Sequence, residues 1–419
     1  MRWVIVAVGV ALAVTLSVPA TAADDPAVAG TPSASPGAGA TVTVTVTAEH
    51  PLLAVSCVSS KYCVAVGYDE AAYVGDGGPL AETWNGRAWS AAGLKLPAGA
   101  LGGVLFGVSC KSLKSCIAIG SYLLPNDNFP ESDDTGTLAE SWNGKTWTAA
   151  RPPTPAGATS AALSGVFCAT AAVCVATGVY TRADGTSAGL AESWNGKKWT
   201  EVPVTLPTGS AGADLNGVSC ASAKSCVAVG SYGNAVSGKV AALAESWNGK
   251  TWRVSKPPAP TGNLAATLEG VSCVSLTDCA AVGSYTLPSG YPIGLAESWN
   301  GKKWTEGPLP TSGGYGGLFA VSCVSSKYCL AVGNGGAAGA SHGTPASYVW
   351  NGKGWSFKKV PVPLKGGGST ATSILQGSGC LSATDCVAVG QLDLGSAEQY
   401  QYGFSRFWNG KAWKPTATA

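Results

Sequence analysis

One pattern recurs seven times along this chain, and no other feature restricts its fold as much. The unit reads Leu-x-Gly-Val-Ser-Cys, five residues, Cys-Val-Ala-Val-Gly, a variable stretch, then Leu-Ala-Glu-Ser-Trp-Asn-Gly-Lys-x-Trp. Units begin near residues 52, 105, 163, 215, 268, 318 and 375, and successive first cysteines lie 53, 58, 52, 53, 50 and 57 residues apart. All 14 cysteines fall into seven pairs: Cys57/Cys63, Cys110/Cys116, Cys168/Cys174, Cys220/Cys226, Cys273/Cys279, Cys323/Cys329 and Cys380/Cys386. The tryptophans pair likewise, from Trp84/Trp89 to Trp408/Trp413, leaving only Trp3. A recurring unit must bury its apolar faces against copies of itself, so the repeat decides the architecture.

Each unit reads as four short strands. In the fourth unit these are an apolar strand ending at Cys220, a β-branched strand from Cys226, a third from Leu243 to Trp247, and a fourth from Lys250. Asn248-Gly249 between the last two fits the central pair of a type I′ hairpin turn. That register sets Glu245 opposite Trp252, whereas a bulged type I turn shifts it by one. Four-stranded units of about 50 residues are the mark of a propeller. The expected fold is therefore all-β, a seven-bladed β-propeller of four-stranded antiparallel blades. The alternatives are an open β-solenoid or a string of small domains.

The run Ser141-Trp142-Asn143-Gly144-Lys145-Thr146-Trp147, with the Val-Ser-Cys and Ala-Val-Gly strands before it, resembles Asp-box (sialidase-like) and photosystem-assembly-factor propeller repeats. It is one residue shorter than their turn motif and has Asn for Asp. Kelch repeats are a second resemblance, through the Gly-terminated strand and the later Trp. The likeness spans roughly residues 52 to 414 and implies the blade, not an activity.

A C-x5-C pair across a hairpin can hold half a metal site, two thiols or a disulfide. His50 and His342 are the only histidines, which leaves little for a metal. Adjacent strands bring paired Cα atoms within disulfide range, so one local disulfide per blade is expected. No metal or other cofactor is expected.

The N-terminus reads as a signal peptide over 1–22: Arg2, an apolar run from Trp3 to Val18, and Ala20-Thr21-Ala22 as cleavage site. Retention as an anchor is the alternative. Residues 23–48 read as a flexible Pro/Ala/Gly/Ser linker with a strand at Thr41–Thr47 that would lie against an outer blade edge, and 49–419 as the propeller. A secreted, extracellular or envelope-associated monomer with no further membrane span follows. Only 12% of residues are charged, and the lysines and arginines are spread along the chain without a basic block. Nucleic acid is thus not expected as a partner.

Recurrence separates framework from site. Glu82, Glu140, Glu192, Glu245 and Glu297 occupy one repeat position, each followed five residues on by Arg87, Lys145, Lys197, Lys250 or Lys302. They read as cross-strand ion pairs near the turn, not as catalytic acids. The Trp pairs read as packing between blades, and the second-strand glycines as points of close backbone approach. Strand one to two and strand three to four are joined by constant turns. The other connections vary, and variable loops on a rigid ring are where binding resides. On them lie the candidate ligand-binding residues Asp127, Phe129, Asp133, Arg182, Tyr291, Tyr315 and His342. The oxygen-rich run Asn126–Asp134 reads as a solvated acidic loop, with calcium as the alternative. A variable position on the first strand (Leu53, Phe106, Ser164, Asn216, Glu269, Phe319, Gln376) is placed to tune the mouth of the central channel.

No catalytic residues are assigned. Arg87, Arg151, Arg182, Arg253 and Arg406 are thin material for a sialidase triad. The favoured function is a non-enzymatic binding or scaffold propeller for an extracellular glycan or protein. The alternative is a glycoside hydrolase or lyase with a carboxylate pair at the channel mouth, drawn from Asp69, Asp127, Asp184 and Glu269.

Overall fold

The computed structural model describes residues 50–69, 78–125, 134–336, 343–362, 372–393 and 401–415. The signal segment, the linker and Thr41–Thr47 lie outside them. The 28 strands form seven antiparallel four-stranded blades at 52–93, 103–150, 158–201, 210–255, 265–306, 318–359 and 372–415. Blades four and five are additionally joined by one parallel bridge, Val240 to Ala265. No α-helix occurs among the described residues, and none there is long and apolar enough to cross a membrane.

The first strands line the channel and pack on one another around the ring. Each apolar cluster spans two blades: Leu215, Leu243 and Trp252 of blade four meet Val175 and Ala191 of blade three. The same cluster between Val387 and Val389 of blade seven and Leu52, Val55 and Trp89 of blade one closes the circle.

Each blade carries its expected local disulfide. The bonds are Cys57–Cys63, Cys110–Cys116, Cys168–Cys174, Cys220–Cys226, Cys273–Cys279, Cys323–Cys329 and Cys380–Cys386, with no pairing between blades. In every case the two cysteines stand directly opposite each other on strands one and two. The second-strand partners Cys63, Cys116, Cys174, Cys226, Cys279, Cys329 and Cys386 are all buried, so each bond anchors its hairpin to the core.

The second-strand glycine is present in every blade and the first-strand glycine in five, with Ala54 and Ala320 in blades one and six, and the two do different things. In blade four the pairing jumps from Leu215↔Gly230 to Gly217↔Val229, leaving Asn216 as a β-bulge, and a side chain on Gly230 would collide with the Asp214 carbonyl. The second-strand glycine therefore accommodates its own blade's bulge, not a neighbouring blade. The neighbour is met by the first-strand glycine: a methyl on Gly217 would come within 2.7 Å of the Glu269 carbonyl oxygen.

A serine then clasps successive blades. Ser56, Ser109, Ser219, Ser272 and Ser322 each accept, at Oγ, the N–H of the next blade's first cysteine (Cys110, Cys168, Cys273, Cys323 and Cys380) at 2.9–3.0 Å. These N–H groups belong to the exposed edge of each blade, which needs a partner. Phe167 replaces the serine in blade three and Gly379 in blade seven. The tryptophans complete the joint. At three joints the fourth-strand indole donates to a serine of the preceding blade, Trp89 to Ser405, Trp304 to Ser255 and Trp413 to Ser347.

The hairpin register differs from the I′ expectation. Trp247 pairs with Trp252 and Glu245 with Val254, because Gly249 and Lys250 form the tip while Asn248 Oδ1 accepts the N–H groups of Lys250 and Thr251. Only Gly249, with φ 91°, needs positive φ there, so Asn is the bracket of the turn and not its centre.

At the closing joint, a Cβ on Gly379 would sit 3.8 Å from the Cys57 nitrogen, and its nearest neighbour would be the Val55 carbonyl oxygen at 3.5 Å. Gly379→Ser should supply the missing clasp and raise stability by about 1 kcal/mol, while Ser219→Ala should lower it by a similar amount. Denaturant unfolding of the two variants beside the parent measures both.

Candidate functional site

The recurrent glutamates are not surface ion pairs. Glu140, Glu192, Glu245 and Glu297 are 0–2% exposed, with carboxylate oxygens that find no partner. Strand alternation turns Glu245 to the same side as Leu243, into the joint with blade three, while Lys250 points to solvent. Burial pushes Glu140 up to about 7 and Glu192, Glu245 and Glu297 up to about 8, helped at Glu192 by Glu201 and at Glu297 by Glu306. Glu82 differs, lying 3.6 Å from His50 Nδ1. Arg406 takes the position in blade seven and donates to the carbonyls of Pro361 and Ser405; desolvation lowers it to about 10. These groups are framework.

The variable first-strand position is the bulge in all seven blades. A bulge re-aims its side chain, and these residues are half-buried or exposed, each following a buried leucine. The resulting ring at the channel is chemically uneven. Leu53, Phe106 and Phe319 are apolar, whereas blades four and five contribute Asn216 and Glu269, with Asp214 and Thr267 two residues before them on the same strand face. Asn216 donates to the Leu268 carbonyl at 3.1 Å, and Ser231 approaches Asp214 Oδ2 at 3.5 Å. Burial raises the Glu269 carboxyl; the Thr267 hydroxyl, donating at 3.3 Å, opposes this, and the charge of Asp214 adds to it. Glu269, a carboxylate named from sequence, is thereby placed beside another acid, Asp214. Sequence reasoning missed its neighbour Asp214, for which alternation with Asn216 is the available signal.

At blades five and six the fold brings Tyr291 and Tyr315 together. Tyr291 ends the loop between strands two and three of blade five; Tyr315 lies on the connection into blade six. Their rings are 5.3 Å apart and tilted by 56°, and they remain 40% and 37% exposed. The backbone holding them is pinned: Gly316 N–H bonds to the Pro292 carbonyl at 2.9 Å, Tyr315 N–H to Gly336 at 2.8 Å, and Gly317 N–H to Asn334 Oδ1 at 2.9 Å. Gly314, with φ 73°, passes so close to Gly336 that a side chain would strike its carbonyl. The run Gly313-Gly314-Tyr315-Gly316-Gly317 is thus a tight backbone contact displaying one aromatic.

Arg182 stands apart on blade three. It donates to Thr186 Oγ1 and the Ser187 carbonyl, stacks over Tyr180 at 5.5 Å, and borders a cavity of about 160 Å³ that also touches Glu201 and Leu206. Asp184 is held below the usual carboxylate range by hydrogen bonds from Thr186, with Arg182 adding to them. The five propeller arginines sit on blades one, two, three, four and seven. Arg87 lies on a turn of the opposite face and Arg406 is buried, so they form no cluster. Asp127, Phe129, Asp133 and His342 lie outside the described residues.

No family model matches the chain, and no curated protein matches it in sequence. Solved structures match its fold. YCF48 bound to D1 peptide superposes with a TM-score of 0.50 at 13% identity, covering 87% of this chain and 94% of that one. A polysaccharide lyase, PL25 ulvan lyase bound to -[GlcA(1-4)Rha3S]-, gives 0.51 at 8% identity, covering 88% and 96%. A protein of unknown function from Dyadobacter fermentans DSM 18053 gives 0.50 at 11%, covering 73% and 94%. The resemblance drawn from the repeat motif holds at the level of fold.

The buried glutamates fix the sign of a pH dependence. Their carboxyl groups are raised when folded, so the folded state holds more protons than the unfolded one between pH about 4.5 and about 8. Their contribution is complete below that window and declines as pH rises through it. Thermal melts should fall by several degrees from pH 5 to pH 9, and Glu245→Gln should flatten the fall.

Proposed function

We propose that this chain is a secreted, non-enzymatic binding propeller whose variable-loop face takes a segment of an extracellular glycan or protein. The carrying observation is the exposed, pre-positioned Tyr291–Tyr315 pair. Rigid aromatics add contact area at low entropic cost, and their pinned backbone means little is ordered on binding. Toward the channel, Thr267, Ser284 and Gly317 lead from the tyrosines to Asn216, Asp214 and Glu269. Aromatic faces beside amide, hydroxyl and carboxylate groups suit a sugar chain, so a glycan is the first ligand to test. Asp127, Phe129, Asp133, Arg182 and His342, carried by other variable connections, are further candidate contacts. Propellers of similar fold hold a peptide in YCF48 and a saccharide in the ulvan lyase. Secretion is supported by the expected signal peptide and by cysteines that are all disulfide-bonded among the described residues.

A second reading rests on Asp214 and Glu269. Two neighbouring carboxyl groups, one raised by burial, are the raw material of acid–base chemistry on a glycan.

On a glycan array the parent should bind, and Tyr291→Ala/Tyr315→Ala should weaken binding about tenfold or more, a change of about 1.4 kcal/mol. Lys197→Ala/Lys250→Ala, on the opposite face, should not. Equal loss in both variants, or no binding by the parent to any glycan or envelope fraction, removes the proposal. Turnover of a glycan that is abolished by Glu269→Gln would replace it with the second reading.

A further inference from the structure

The lysines that look scattered along the sequence are gathered by the fold onto one face. Strand one to two hairpins and strand three to four turns lie together. The Lys61, Lys114, Lys224 and Lys327 stems rest against Gly86, Gly144, Gly249 and Gly352 of their own blades, a Cβ on Gly249 lying 3.0 Å from Lys224 Cβ. Every three-to-four turn carries an exposed basic residue, Arg87 in blade one and a lysine in each of the others, through to Lys411. Blades three and five carry a second, Lys198 and Lys303, and Lys111 adds to the hairpins. That makes nine basic residues on the turns and five on the hairpins, opposed only by Asp278 and Asp385. The whole chain has a net charge of only +2. The excess here is therefore balanced by acids elsewhere, among them Asp184, Asp214 and Glu269 on the other side of the ring.

This face is not uniformly polar. The hairpins surround the axis because they join the innermost strands, and Leu113 and Leu276 at their tips are 55% and 57% exposed, with Val274 and Leu381 beside the channel also open to solvent. The indoles of Trp142 and Trp299 donate to the Leu113 and Leu276 carbonyls and hold those tips in place. Apolar tips from blades two and five near the centre and basic turns from all seven blades at the rim share this face.

We propose that the hairpin face docks flat onto an anionic lipid surface, leaving the variable-loop face outward. Lysines near an anionic bilayer are attracted cooperatively with its surface potential, and apolar tips gain by entering the interface. A soluble polyanion would satisfy the charges but gives exposed leucines no partner, which is why the lipid is favoured.

The test uses the disulfide-intact mature chain and sedimentation with vesicles of phosphatidylglycerol mixed with phosphatidylcholine, or of phosphatidylcholine alone. Binding to the anionic vesicles only, lost at high salt, is expected. Lys145→Glu/Lys197→Glu/Lys250→Glu/Lys302→Glu, with an unchanged melt confirming its fold, should bind at least tenfold more weakly. Leu113→Ser/Leu276→Ser should weaken vesicle binding several-fold yet leave retention on immobilised polyphosphate unchanged. Tyr291→Ala/Tyr315→Ala should bind vesicles as the parent does. Failure of the parent to bind anionic vesicles, or undiminished binding by the charge variant, overturns the proposal. So does a leucine variant that binds vesicles like the parent, which assigns the face to a soluble polyanion.

Discussion

The close approach of seven first strands around a channel is the constraint on which the rest of this molecule depends. Each is an edge strand, with N–H groups that no partner in its own blade can take. A glycine, or an alanine in blades one and six, lets the next backbone come near, and at five of the seven joints a serine oxygen accepts the outward N–H of the following cysteine. The bulge beside that glycine turns one side chain per blade out of the ladder. The Leu-x-Gly-Val-Ser-Cys motif is therefore a joint between blades, its variable x included. The disulfide lies just beyond it, tying the strand to its hairpin.

The same joint divides the protein into two faces with different freedoms. Hairpins and three-to-four turns pack together in every blade, a lysine stem, an alanine or a threonine resting on the turn glycine, and in four blades an indole donates to a hairpin carbonyl. Any residue type kept in the repeat is then multiplied seven-fold on one surface, which is how a chain with few charges acquires a basic disk. The connections on the other face are not bound by the joint. There blades five and six hold a pair of tyrosines and blades four and five a pair of acids, features that occur once each among the described residues. Single occurrence on a repeated scaffold is what a binding site requires.

Much of this is legible in the sequence, for physical reasons. Period-two strands, Asn-Gly turns and paired cysteines specify blade, count and local disulfides, because each depends on neighbours close in the chain. Tyr291 and Tyr315 are legible as loop residues, though not their contact, which needs the pinning by Gly336 and Asn334. The glutamates mislead. Spacing to the next lysine suggests an ion pair, but strand alternation sends Glu245 into the joint and Lys250 outward. The hairpin register differs from expectation because Asn248 brackets the turn with its side chain. Asp214 and the lysine face stay hidden, since both come from residues about 50 positions apart that meet only when the ring closes.

Residue-resolved amide hydrogen exchange tests the blade joint most directly. Under native conditions the N–H groups of Cys110, Cys168, Cys273, Cys323 and Cys380, each clasped by a serine, should exchange as slowly as the core strands. Those of Cys57 and Cys220, which face Gly379 and Phe167 instead, should exchange markedly faster. Equal exchange at all seven cysteines, or fast exchange at the five clasped ones, would contradict the account.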